Sequence, residues 1–583
     1  MPNAENAESA GATDSAQLES STVFPAATDI ANVSLHLREA AALHPYKRAV
    51  VWRAGRDRRG RSAYAHLTFR QLDKESDCIA HGLEGAGIVS GTRTILMVRP
   101  SPEFFCLIFA LFKVGAVPVV VDPGMGVSRM LECFRQSRPE AFIGIPLAHV
   151  VRTLRPGFFR SVTIWVTVGR RWFWGGWTLD QIRWFPWRPY PPASTKRDEP
   201  AAVLFTTGST GPAKGAVYTH GNFIAQLYHI RRYLQMAADE IDLSTFPLFA
   251  LFYPALGVTA VIPDMDPTRP AKAEPSRIVE TIVNQGVTNM FASPALLNRL
   301  ARYGREKAIK MPSLKRVISA GAPVAPALIE QFARMLVDGA EVHTPYGATE
   351  AVPVLSISST EILSETRTLS ERGFGYCVGK PVNDLVEVRI IAINDDPVSE
   401  WSEALAVAPG TIGEIIVRGD HVTRHYFEKP QADALSKIVD GDRFWHRMGD
   451  LGWQDSKGRI WFCGRKSHRV ITPQGTLYTI PCESIYNNHH MVFRSALVGV
   501  GNPPNQRPVI CVELAGDKGR PDLEKIREDL LTMGRRVEIT SLIETILFHP
   551  GFPVDIRHNA KIFREQLAVW AAEKLAGSKG ESK

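Results

Sequence analysis

The chain has 583 residues and a formal net charge of +8, from 68 lysines and arginines against 60 aspartates and glutamates. This length is too great for one hydrophobic core, so we expect two or more domains. Hydrophobic residues make up 45% and charged residues 22%, as in ordinary globular proteins, and the positive charge is modest. Since no RNA-binding signature or zinc-finger spacing occurs, nucleic acid is not predicted as a partner.

The chain begins with a polar segment, and we predict a disordered tail over residues 1–30. Its first two dozen residues, MPNAENAESAGATDSAQLESSTVF, lack the apolar core of a secretion signal. The seven cysteines are scattered and form no CxxC pair, so neither a disulfide framework nor a cysteine metal site is indicated. A reducing, cytoplasmic location is therefore expected.

One apolar stretch, FFCLIFALFKVGAVPVVVDP, runs from Phe104 to Pro123. A membrane-spanning helix needs about 20 uninterrupted apolar residues. Lys113 interrupts this stretch and Gly115 follows it, so we predict a core helix and then a buried strand. The short apolar strands TRTILMV and AVPVVV alternate here with helical patterns, which indicates parallel sheets with crossover helices.

Residues 172–189, WFWGGWTLDQIRWFPWRP, contain five of the twelve tryptophans, accompanied by Arg171, Arg183 and Arg188. Three interpretations of this Trp-rich segment remain open. The segment could be a surface loop whose rings pack on the large domain, an interfacial patch that contacts a membrane or a lipid-like substrate, or a patch that binds a protein partner.

The next motif is LFTTGSTGPAKG, residues 204–215. Glycines allow the backbone to approach a ligand closely, and hydroxyls and backbone amides suit an anion. The motif is not a Walker A loop, because Lys214 is followed by Gly215 rather than by serine or threonine. Alone it is also compatible with an ordinary surface loop. With the later motifs it predicts a polyphosphate site made of Thr206, Thr207, Gly208, Ser209, Thr210, Gly211 and Lys214.

Strands followed by helical patterns occur again at GVTNMFAS and SLKRVISAG. The later stretches VEVRIIAI and GEIIVRG indicate a smaller antiparallel or barrel-like unit. We therefore predict an α/β fold with parallel-sheet layers, this small β unit and a small, mobile α+β C-terminal domain. The predicted boundaries are residues 31–464 for the large domain, 465–575 for the small one and 576–583 for a polar tail.

Four further stretches support the polyphosphate site. SAGAP, residues 319–323, is a small-residue turn against which a flat ring fits, and TPYGATE, residues 344–350, combines an aromatic face with a hydroxyl and a carboxylate. That carboxylate, Glu350, suits Mg²⁺ beside a triphosphate. GDLG contains Asp450, which suits the hydroxyls of a ribose. VDIRHNAKIFREQL places Lys561 just before an amphipathic helix.

In this order the five motifs resemble those of the adenylate-forming superfamily, which comprises acyl-CoA synthetases, peptide-synthetase adenylation domains and luciferases. The resemblance covers roughly residues 35 to 570. It implies ATP and Mg²⁺ as cofactors. A carboxylate that attacks a phosphate is repelled by it, so the site must supply positive charge and alignment.

The resemblance also implies roles for individual residues. Residues 206–215 would hold the phosphates, with Lys214 supplying charge, and Lys561 would bridge the carboxylate and the α-phosphate. Glu350 and Thr206 would hold the metal, and Asp450 would bind the ribose beside Arg465. The residues implied to frame the adenine and the α-phosphate are Gly321, Ala322, Pro323, Tyr346, Gly347, Ala348 and Thr349.

Some positions depart from the superfamily's usual pattern, namely Ala250, Met448, Ser467 and Ala560. They leave adenylation intact and put thioester formation in doubt, although GTLYTIPCE still resembles the region that lines the thioester step in relatives. The stretches FPLFALFYPALG, HRMGDLG and CGRKSHRV are most similar to one branch, the β-lactone synthetases of bacterial long-chain olefin biosynthesis.

That branch implies a long-chain 2-alkyl-3-hydroxyalkanoic acid as substrate, whose own 3-hydroxyl closes the ring, and assembly with other olefin-pathway enzymes. Phe249, Leu251 and Phe252 are candidates for one wall of an alkyl pocket, and His220 and His343 for the base. Two alternatives remain: a fatty acyl-CoA or acyl-carrier-protein ligase, and a non-catalytic lipid or membrane adaptor.

Overall fold

The computed structural model describes residues 30–184, 186–206, 213–246, 252–516, 521–554 and 561–577. The disordered tail predicted over residues 1–30 therefore lies, except for Ile30, outside the described residues, as do residues 578–583.

The first part of the chain alternates helices and strands. Its strands are β1 (Arg48–Arg56), β2 (Ser62–Thr68), β3 (Arg93–Met97), β4 (Val117–Val121), β5 (Ala141–Gly144), β6 (Ile164–Thr167) and β7 (Trp177–Thr178). Its helices are α1 (Ser34–Leu43), α2 (Phe69–Gly85), α3 (Pro102–Val114), α4 (Val127–Gln136), α5 (Pro146–Leu154) and α6 (Leu179–Arg183).

The middle of the chain continues this alternation. Its strands are β8 (Pro200–Thr206), β9 (Lys214–Thr219), β10 (Ile241–Leu243), β11 (Thr259–Ile262), β12 (Asn289–Phe291), β13 (Arg316–Ile318), β14 (Glu341–His343), β15 (Tyr346–Ala348) and β16 (Ala351–Ser356). Its helices are α7 (His220–Leu234), α8 (Phe252–Ala255), α9 (Pro275–Gln285), α10 (Pro294–Lys307), α11 (Pro326–Ala333), α12 (Ser359–Glu361) and α13 (Arg367–Glu371).

The next part is rich in strands and the last mixes both types. The strands are β17 (Tyr376–Pro381), β18 (Glu387–Ile391), β19 (Gly413–Arg418), β20 (His425–Tyr426), β21 (Lys437–Asp440), β22 (Arg443–Gln454), β23 (Ile460–Arg465), β24 (Val470–Thr472), β25 (Gly475–Leu477), β26 (Val492–Val500), β27 (Arg507–Leu514) and β28 (Ile546–Phe548). The helices are α14 (Pro430–Ser436), α15 (Thr479–Tyr486), α16 (Leu523–Arg535) and α17 (Arg564–Gly577).

Three large sheets are formed by the described residues. The first has the order β14-β13-β12-β10-β11-β1-β2 and the second β20-β9-β8-β4-β3-β5-β6-β7, both mainly parallel. The third, β15-β16-β17-β23-β22-β19-β18, pairs its strands antiparallel. The predicted α/β class with a further antiparallel unit is confirmed. That unit extends well beyond the two strands from which it was predicted, because β22 and β23 also belong to it.

The apolar stretch from Phe104 to Pro123 forms a core helix and a strand, as predicted. Ser101 caps α3, its side chain accepting a hydrogen bond of 3.3 Å from the backbone of Phe104, and Gly115 ends it at a φ of 76°. The helix packs in the cluster shared by the first two sheets. Among the described residues, no helix is both long and apolar enough to cross a bilayer.

Lys113 within this helix is fully buried, and two aspartates of α2 compensate its charge. Its Nζ lies 2.6 Å from Asp73 Oδ1 and 2.7 Å from Asp77 Oδ1. A buried ammonium is tolerated only with such partners. The lysine that breaks the apolar pattern in the sequence therefore ties α3 to α2.

Residues beyond Arg465 contain their own small sheet and core. A 3₁₀ turn, Lys466–His468, leads into β24 and β25, and β26, β27 and β28 form a second small sheet covered by α15, α16 and α17. In this part the helix α17 is joined to α15 by Arg564, whose guanidinium lies 2.7 Å from both carboxylate oxygens of Glu483. The domain boundary near residue 464 remains a prediction.

Candidate active site

The adenine-framing residues follow two neighbouring parallel strands. β13 and β14 pair in register, with Ile318 beside His343, so the turns after them meet at the carboxyl edge of the first sheet. The turn after β13 holds Gly321 at a φ of 96°, a conformation that glycine adopts without strain. Tyr346 follows β14 at the same edge. The two separate sequence motifs are thereby brought together.

Asp450 lies at the centre of the site, on β22. Its Oδ2 accepts a hydrogen bond of 2.7 Å from the Tyr346 phenol, and its Oδ1 lies 3.0 Å from the Arg465 guanidinium on the paired strand β23. That ion pair is not aligned as a hydrogen bond, so Oδ1 keeps its acceptor capacity within the described residues. Burial raises the pKa of Asp450, while Arg465 and the phenol oppose the rise.

Glu350, the predicted metal ligand, is oriented by a tyrosine of the second sheet. Its Oε1 accepts a hydrogen bond of 2.6 Å from the phenol of Tyr426. Burial, followed by the charge of Glu350, raises the pKa of that phenol, so it remains a donor. The backbone carbonyls of Thr349 and Glu350 accept hydrogen bonds from the Tyr218 phenol and from the amide of Thr423, respectively.

Lys214 lies over the ring of the same tyrosine, its Nζ being 5.1 Å from the centre of the Tyr426 ring. This follows from strand pairing. β20 lies antiparallel to β9, with Tyr426 beside Ala216, and Phe427 donates a backbone hydrogen bond of 2.8 Å to Gly215. The pairing thus joins the lysine that ends the phosphate motif to the carboxylate predicted to bind metal.

A second lysine, Lys437 on β21, adjoins the same tyrosine. Its Nζ lies 5.8 Å from the centre of the Tyr426 ring and 5.2 Å from that of Phe444, and it donates a hydrogen bond to the Thr423 carbonyl. Burial lowers its pKa to about 7, although the charge of Glu350 opposes this change. Neither Tyr426 nor Lys437 was identified from the sequence, because nothing in HYFEKP or ALSKIV marks them locally.

The phosphate motif connects β8 to β9. Thr206 ends β8 and pairs with Lys214 at the start of β9. Residues 207–212, which include the predicted Thr207, Gly208, Ser209, Thr210 and Gly211, lie outside the described residues.

One cavity, of about 1790 Å³, brings most of the predicted residues together. Its walls include Lys214, Gly321, Ala322, Pro323, Tyr346, Gly347, Ala348, Thr349, Glu350, Asp450, Arg465 and Lys561. Lys561 reaches this wall from the C-terminal part of the chain, over 100 residues from Asp450 in sequence. The structure therefore places the predicted mobile lysine at the same site as the predicted ribose and metal ligands.

The cavity continues as apolar space along both faces of the second sheet. Successive strand residues point to opposite faces. Met97 packs with the cluster on one face and Val98 with the cluster on the other, and both line the cavity. Val120 and Val121, successive residues of β4, also line the cavity. The alkyl-wall candidates Phe249 and Leu251 lie outside the described residues, as does the side chain of Phe252.

The two histidine candidates differ in position. His343 lines the cavity, its Nδ1 is 3.0 Å from the Tyr233 hydroxyl, and burial lowers its pKa. His220 instead is fully buried under α1, where its Nδ1 accepts a hydrogen bond of 3.3 Å from the Val33 amide. Its pKa is lowered to about 4 by burial. His343 is thus the better placed of the two.

The residues present fit ATP and Mg²⁺. The buried Oδ1 of Asp450, which accepts no hydrogen bond from the described residues, is suited to a ribose hydroxyl, and Lys214 and Lys561 supply positive charge for phosphates. Within the described residues no cluster of three or more His, Cys, Asp or Glu forms a cage for a metal. Mg²⁺ bound to a triphosphate commonly needs only one or two protein carboxylates, which Glu350 satisfies.

The sequence is similar to those of known proteins. Residues 37–427 match the family of AMP-binding enzymes. Olefin β-lactone synthetase of Stenotrophomonas maltophilia is 48% identical over 93% of this chain and 98% of its own length, and that of Xanthomonas campestris pv. campestris is 47% identical over 94% and 98%. The chain belongs to the AMP-binding enzyme family, in its olefin β-lactone synthetase branch. It is an AMP-forming ligase.

Solved structures of other enzymes have the same fold. The amide bond synthetase from Marinactinospora thermotolerans has a TM-score of 0.74 at 20% identity and covers 92% of this chain and 99% of its own. O-succinylbenzoate CoA synthetase from Bacillus subtilis, in complex with ATP and magnesium ion, has a TM-score of 0.70 at 20% identity, covering 91% and 98%. At this identity the likeness concerns the fold alone.

Proposed function

We propose that this enzyme is an ATP-dependent β-lactone synthetase of long-chain olefin biosynthesis, acting on a 2-alkyl-3-hydroxyalkanoic acid. The observation that carries the proposal is the 47–48% identity to olefin β-lactone synthetases over nearly the whole of both chains. A neighbouring enzyme then decarboxylates the lactone to the olefin, and assembly with such enzymes in a cytoplasmic complex is part of the proposal. The cysteines, all seven of them free thiols, support the reducing compartment.

The reaction proceeds in two steps. The substrate carboxylate attacks the α-phosphorus of ATP, forms an acyl-adenylate and releases pyrophosphate. The 3-hydroxyl of the same molecule then attacks the acyl carbon, the bond to AMP breaks, and the hydroxyl proton is lost. Because the second nucleophile is tethered, proximity takes the place of a bound thiol.

The residues of the cavity fit these steps. Lys214 and Lys561 neutralise charge between the carboxylate and the phosphates, and Thr349 contacts the α-phosphate. Glu350, whose carboxylate is oriented by Tyr426, would hold Mg²⁺, and Thr206, whose side chain lies outside the described residues, would be its second ligand. Bound Mg²⁺ supplies positive charge to the developing phosphates. Asp450 accepts hydrogen bonds from the ribose, and Gly321 to Pro323 face the adenine.

The apolar space on both faces of the second sheet supports a substrate with two alkyl chains. The 2-alkyl group and the chain beyond carbon 3 diverge from adjacent carbons, and the cavity diverges likewise beside Met97 and Val98. His343, which has a lowered pKa and is therefore neutral at pH 7, is our candidate acceptor for the proton of the 3-hydroxyl.

A product assay without thiol tests the proposed function. Purified enzyme, ATP, Mg²⁺ and a racemic 2-alkyl-3-hydroxy acid are incubated with and without coenzyme A, and products are identified by mass and NMR. We expect lactone and AMP in both arms at equal rates. Product that appears only with coenzyme A, as a thioester, would assign the chain to the acyl-CoA ligases instead, and absence of any ATP consumption would support the adaptor alternative.

A further inference from the structure

A band of exposed apolar side chains lies along one end of the second sheet, where β7 is the last strand. Helix α5 contributes two exposed leucines, and the Trp-rich segment contributes exposed rings. We call this surface the aromatic edge. Its members are Leu147, Leu154, Trp172, Phe173, Trp177, Trp184 and Trp187.

The aromatic edge is held in place by contacts beneath it. Trp174, in the middle of the segment, is buried, stacks on His149 of α5 at 5.3 Å and donates a hydrogen bond of 3.0 Å to Thr167. The guanidinium of Arg152, one turn along α5, lies 4.0 Å from the centre of the Trp165 ring. Despite this anchoring, Phe173 is 75% exposed and Trp184 88% exposed. The segment is thus anchored by Trp174, while other large aromatic rings of the same segment remain exposed.

Within the segment itself the charge is strongly one-sided, and the neighbouring helix α2 adds Glu75, which pairs with Arg183, and Lys74, which lies over the Trp187 ring. Residues 146–189 contain seven arginines, no lysine and one acidic residue, Asp180. Five of these arginines are exposed, namely Arg155, Arg160, Arg170, Arg171 and Arg188. Within the described residues, none of these five forms an ion pair with a carboxylate. With seven arginines and one aspartate, residues 146–189 carry a formal charge of +6, which is most of the +8 of the whole chain. This surface therefore attracts anions.

The same helix borders the active-site cavity. Leu147, Ala148 and Val151 of α5 line the cavity, while His149 of the same helix stacks on Trp174 of the Trp-rich segment. Leu147 is also 61% exposed, so the cavity reaches the surface beside the aromatic edge. One helix thus separates the exposed rings from the space in which alkyl chains are expected.

We propose that the aromatic edge binds the surface of an anionic lipid bilayer, and that the long-chain acid enters the cavity from that bilayer beside Leu147. Exposed tryptophan with arginine is the combination that favours the boundary between headgroups and acyl chains. Basic side chains add attraction to anionic headgroups. An acidic protein partner is the competing occupant. Lipid is favoured because the cavity opening lies at the same surface. The second half of the proposal, entry of the acid, rests on the proposed function.

Flotation of the full-length protein with vesicles tests the binding. Vesicles of phosphatidylcholine alone are compared with vesicles that also contain phosphatidylglycerol, at low and high salt. We expect flotation with the anionic vesicles, weakened by salt. The variants Phe173→Ser/Trp184→Ser and Arg155→Gln/Arg160→Gln should each lower the partition coefficient by about tenfold.

Matched variants on other surfaces are the controls. Val283→Ser/Val569→Ser replaces exposed apolar residues, and Arg302→Gln/Arg305→Gln replaces exposed arginines of α10. All four variants are compared by thermal unfolding to verify the fold. The proposal is overturned if the wild-type protein floats with neither kind of vesicle, or if the control variants weaken vesicle binding as much as the aromatic-edge variants do. It is also overturned if an acidic protein partner protects the aromatic edge from chemical labelling and vesicles do not.

Entry of the acid from the bilayer into the cavity is measured in a separate experiment. Lactone formation is followed with the acid embedded in anionic vesicles and with the acid dispersed in detergent. The variant Phe173→Ser/Trp184→Ser should lose about tenfold in the ratio of these two rates. An unchanged ratio rejects entry from the bilayer. Failure of the proposed function would be distinct, because wild-type enzyme would then make no lactone even from the detergent-dispersed acid.

Discussion

The phenol of Tyr426 donates a hydrogen bond of 2.6 Å to Glu350, although the two residues are 76 positions apart in the chain. The same ring lies 5.1 Å from the Nζ of Lys214. Tyr426 therefore connects the carboxylate proposed to hold Mg²⁺ with the lysine proposed to hold phosphate. A residue in this position orients ligands of the metal rather than reacting itself.

Replacing Tyr426 with phenylalanine should weaken adenylation while leaving the fold intact. Loss of a hydrogen bond to a charged group costs about 1.5–3 kcal/mol. We expect ATP–pyrophosphate exchange to fall by about tenfold or more, with a higher Mg²⁺ concentration needed for half-maximal exchange. Tyr228→Phe, which removes a phenol on the surface near Arg232, is the matched control. If the Mg²⁺ requirement is unchanged in Tyr426→Phe, the orienting role is wrong.

Lys437 should make stability depend on pH. Its pKa is lowered to about 7 in the folded protein, while in the unfolded chain it returns to the ordinary value of 10.5. Between these values the unfolded state binds more protons, so this group makes the free energy of unfolding rise with pH over that window. Below about pH 7 Lys437 is protonated in both the folded and the unfolded state, so the folded state bears the full free-energy cost of burying its charge.

The variant Lys437→Met removes this contribution. We therefore expect it to gain most in stability over wild type below pH 7, and the gain to shrink as the pH rises towards 10.5. Urea unfolding of both proteins across that range measures the difference. A difference that is constant with pH would show that Lys437 keeps an ordinary pKa.

Asp450 should determine whether the enzyme distinguishes ribose from deoxyribose. We expect wild type to prefer ATP strongly to 2′-deoxy-ATP and 3′-deoxy-ATP in kcat/KM for exchange, because the carboxylate accepts from the ribose hydroxyls. In Asp450→Asn the KM for ATP rises and this preference largely disappears. If the variant discriminates as well as wild type does, the ribose is bound elsewhere.

Lys561 should act in adenylation. Lys561→Ala is expected to lower ATP–pyrophosphate exchange by about 10²–10³-fold, since one fixed positive charge on the transferring phosphate is lost. Lys574→Ala, an exposed lysine on the helix that follows, is the control. Exchange that survives unchanged in Lys561→Ala would remove this lysine from the mechanism.

His343 should affect ring closure more than adenylation. In His343→Gln we expect near-normal exchange, about tenfold slower lactone formation and accumulation of the acyl-adenylate. Rapid-quench analysis separates the two steps. Equal losses in both steps would indicate that the residue only shapes the cavity, where its imidazole contacts the Tyr233 hydroxyl.

The sequence was sufficient for the fold class, and most of the site residues that it proposed line one cavity, because the signals were local. Each motif, such as SAGAP after β13, lies within a few consecutive residues and was weak evidence alone, but the order of the five motifs identified them, and parallel pairing brought the turns after β13 and β14 to one edge. Lys113 also marked α3 as a core helix. These features depend on residues that are close in the chain.

Tyr426 and Lys437 escaped prediction because their positions depend on pairing between distant strands. Only the antiparallel pairing of β20 with β9 brings Tyr426 beside Lys214, across more than 200 residues. The extent of the third sheet was underestimated for the same reason, since β22 carries an irregular pattern around Asp450. The choice among interpretations of the Trp-rich segment likewise required the exposure of its rings.

The measurement that tests the central claim most directly is the fate of carboxylate oxygen. A 2-alkyl-3-hydroxy acid labelled with ¹⁸O in both carboxylate oxygens is converted with ATP, and AMP and lactone are analysed by mass spectrometry. Attack of the carboxylate on the α-phosphorus predicts one labelled oxygen in AMP and one in the lactone carbonyl. Unlabelled AMP with both labelled oxygens retained in the lactone would show activation of the hydroxyl instead and would contradict the account.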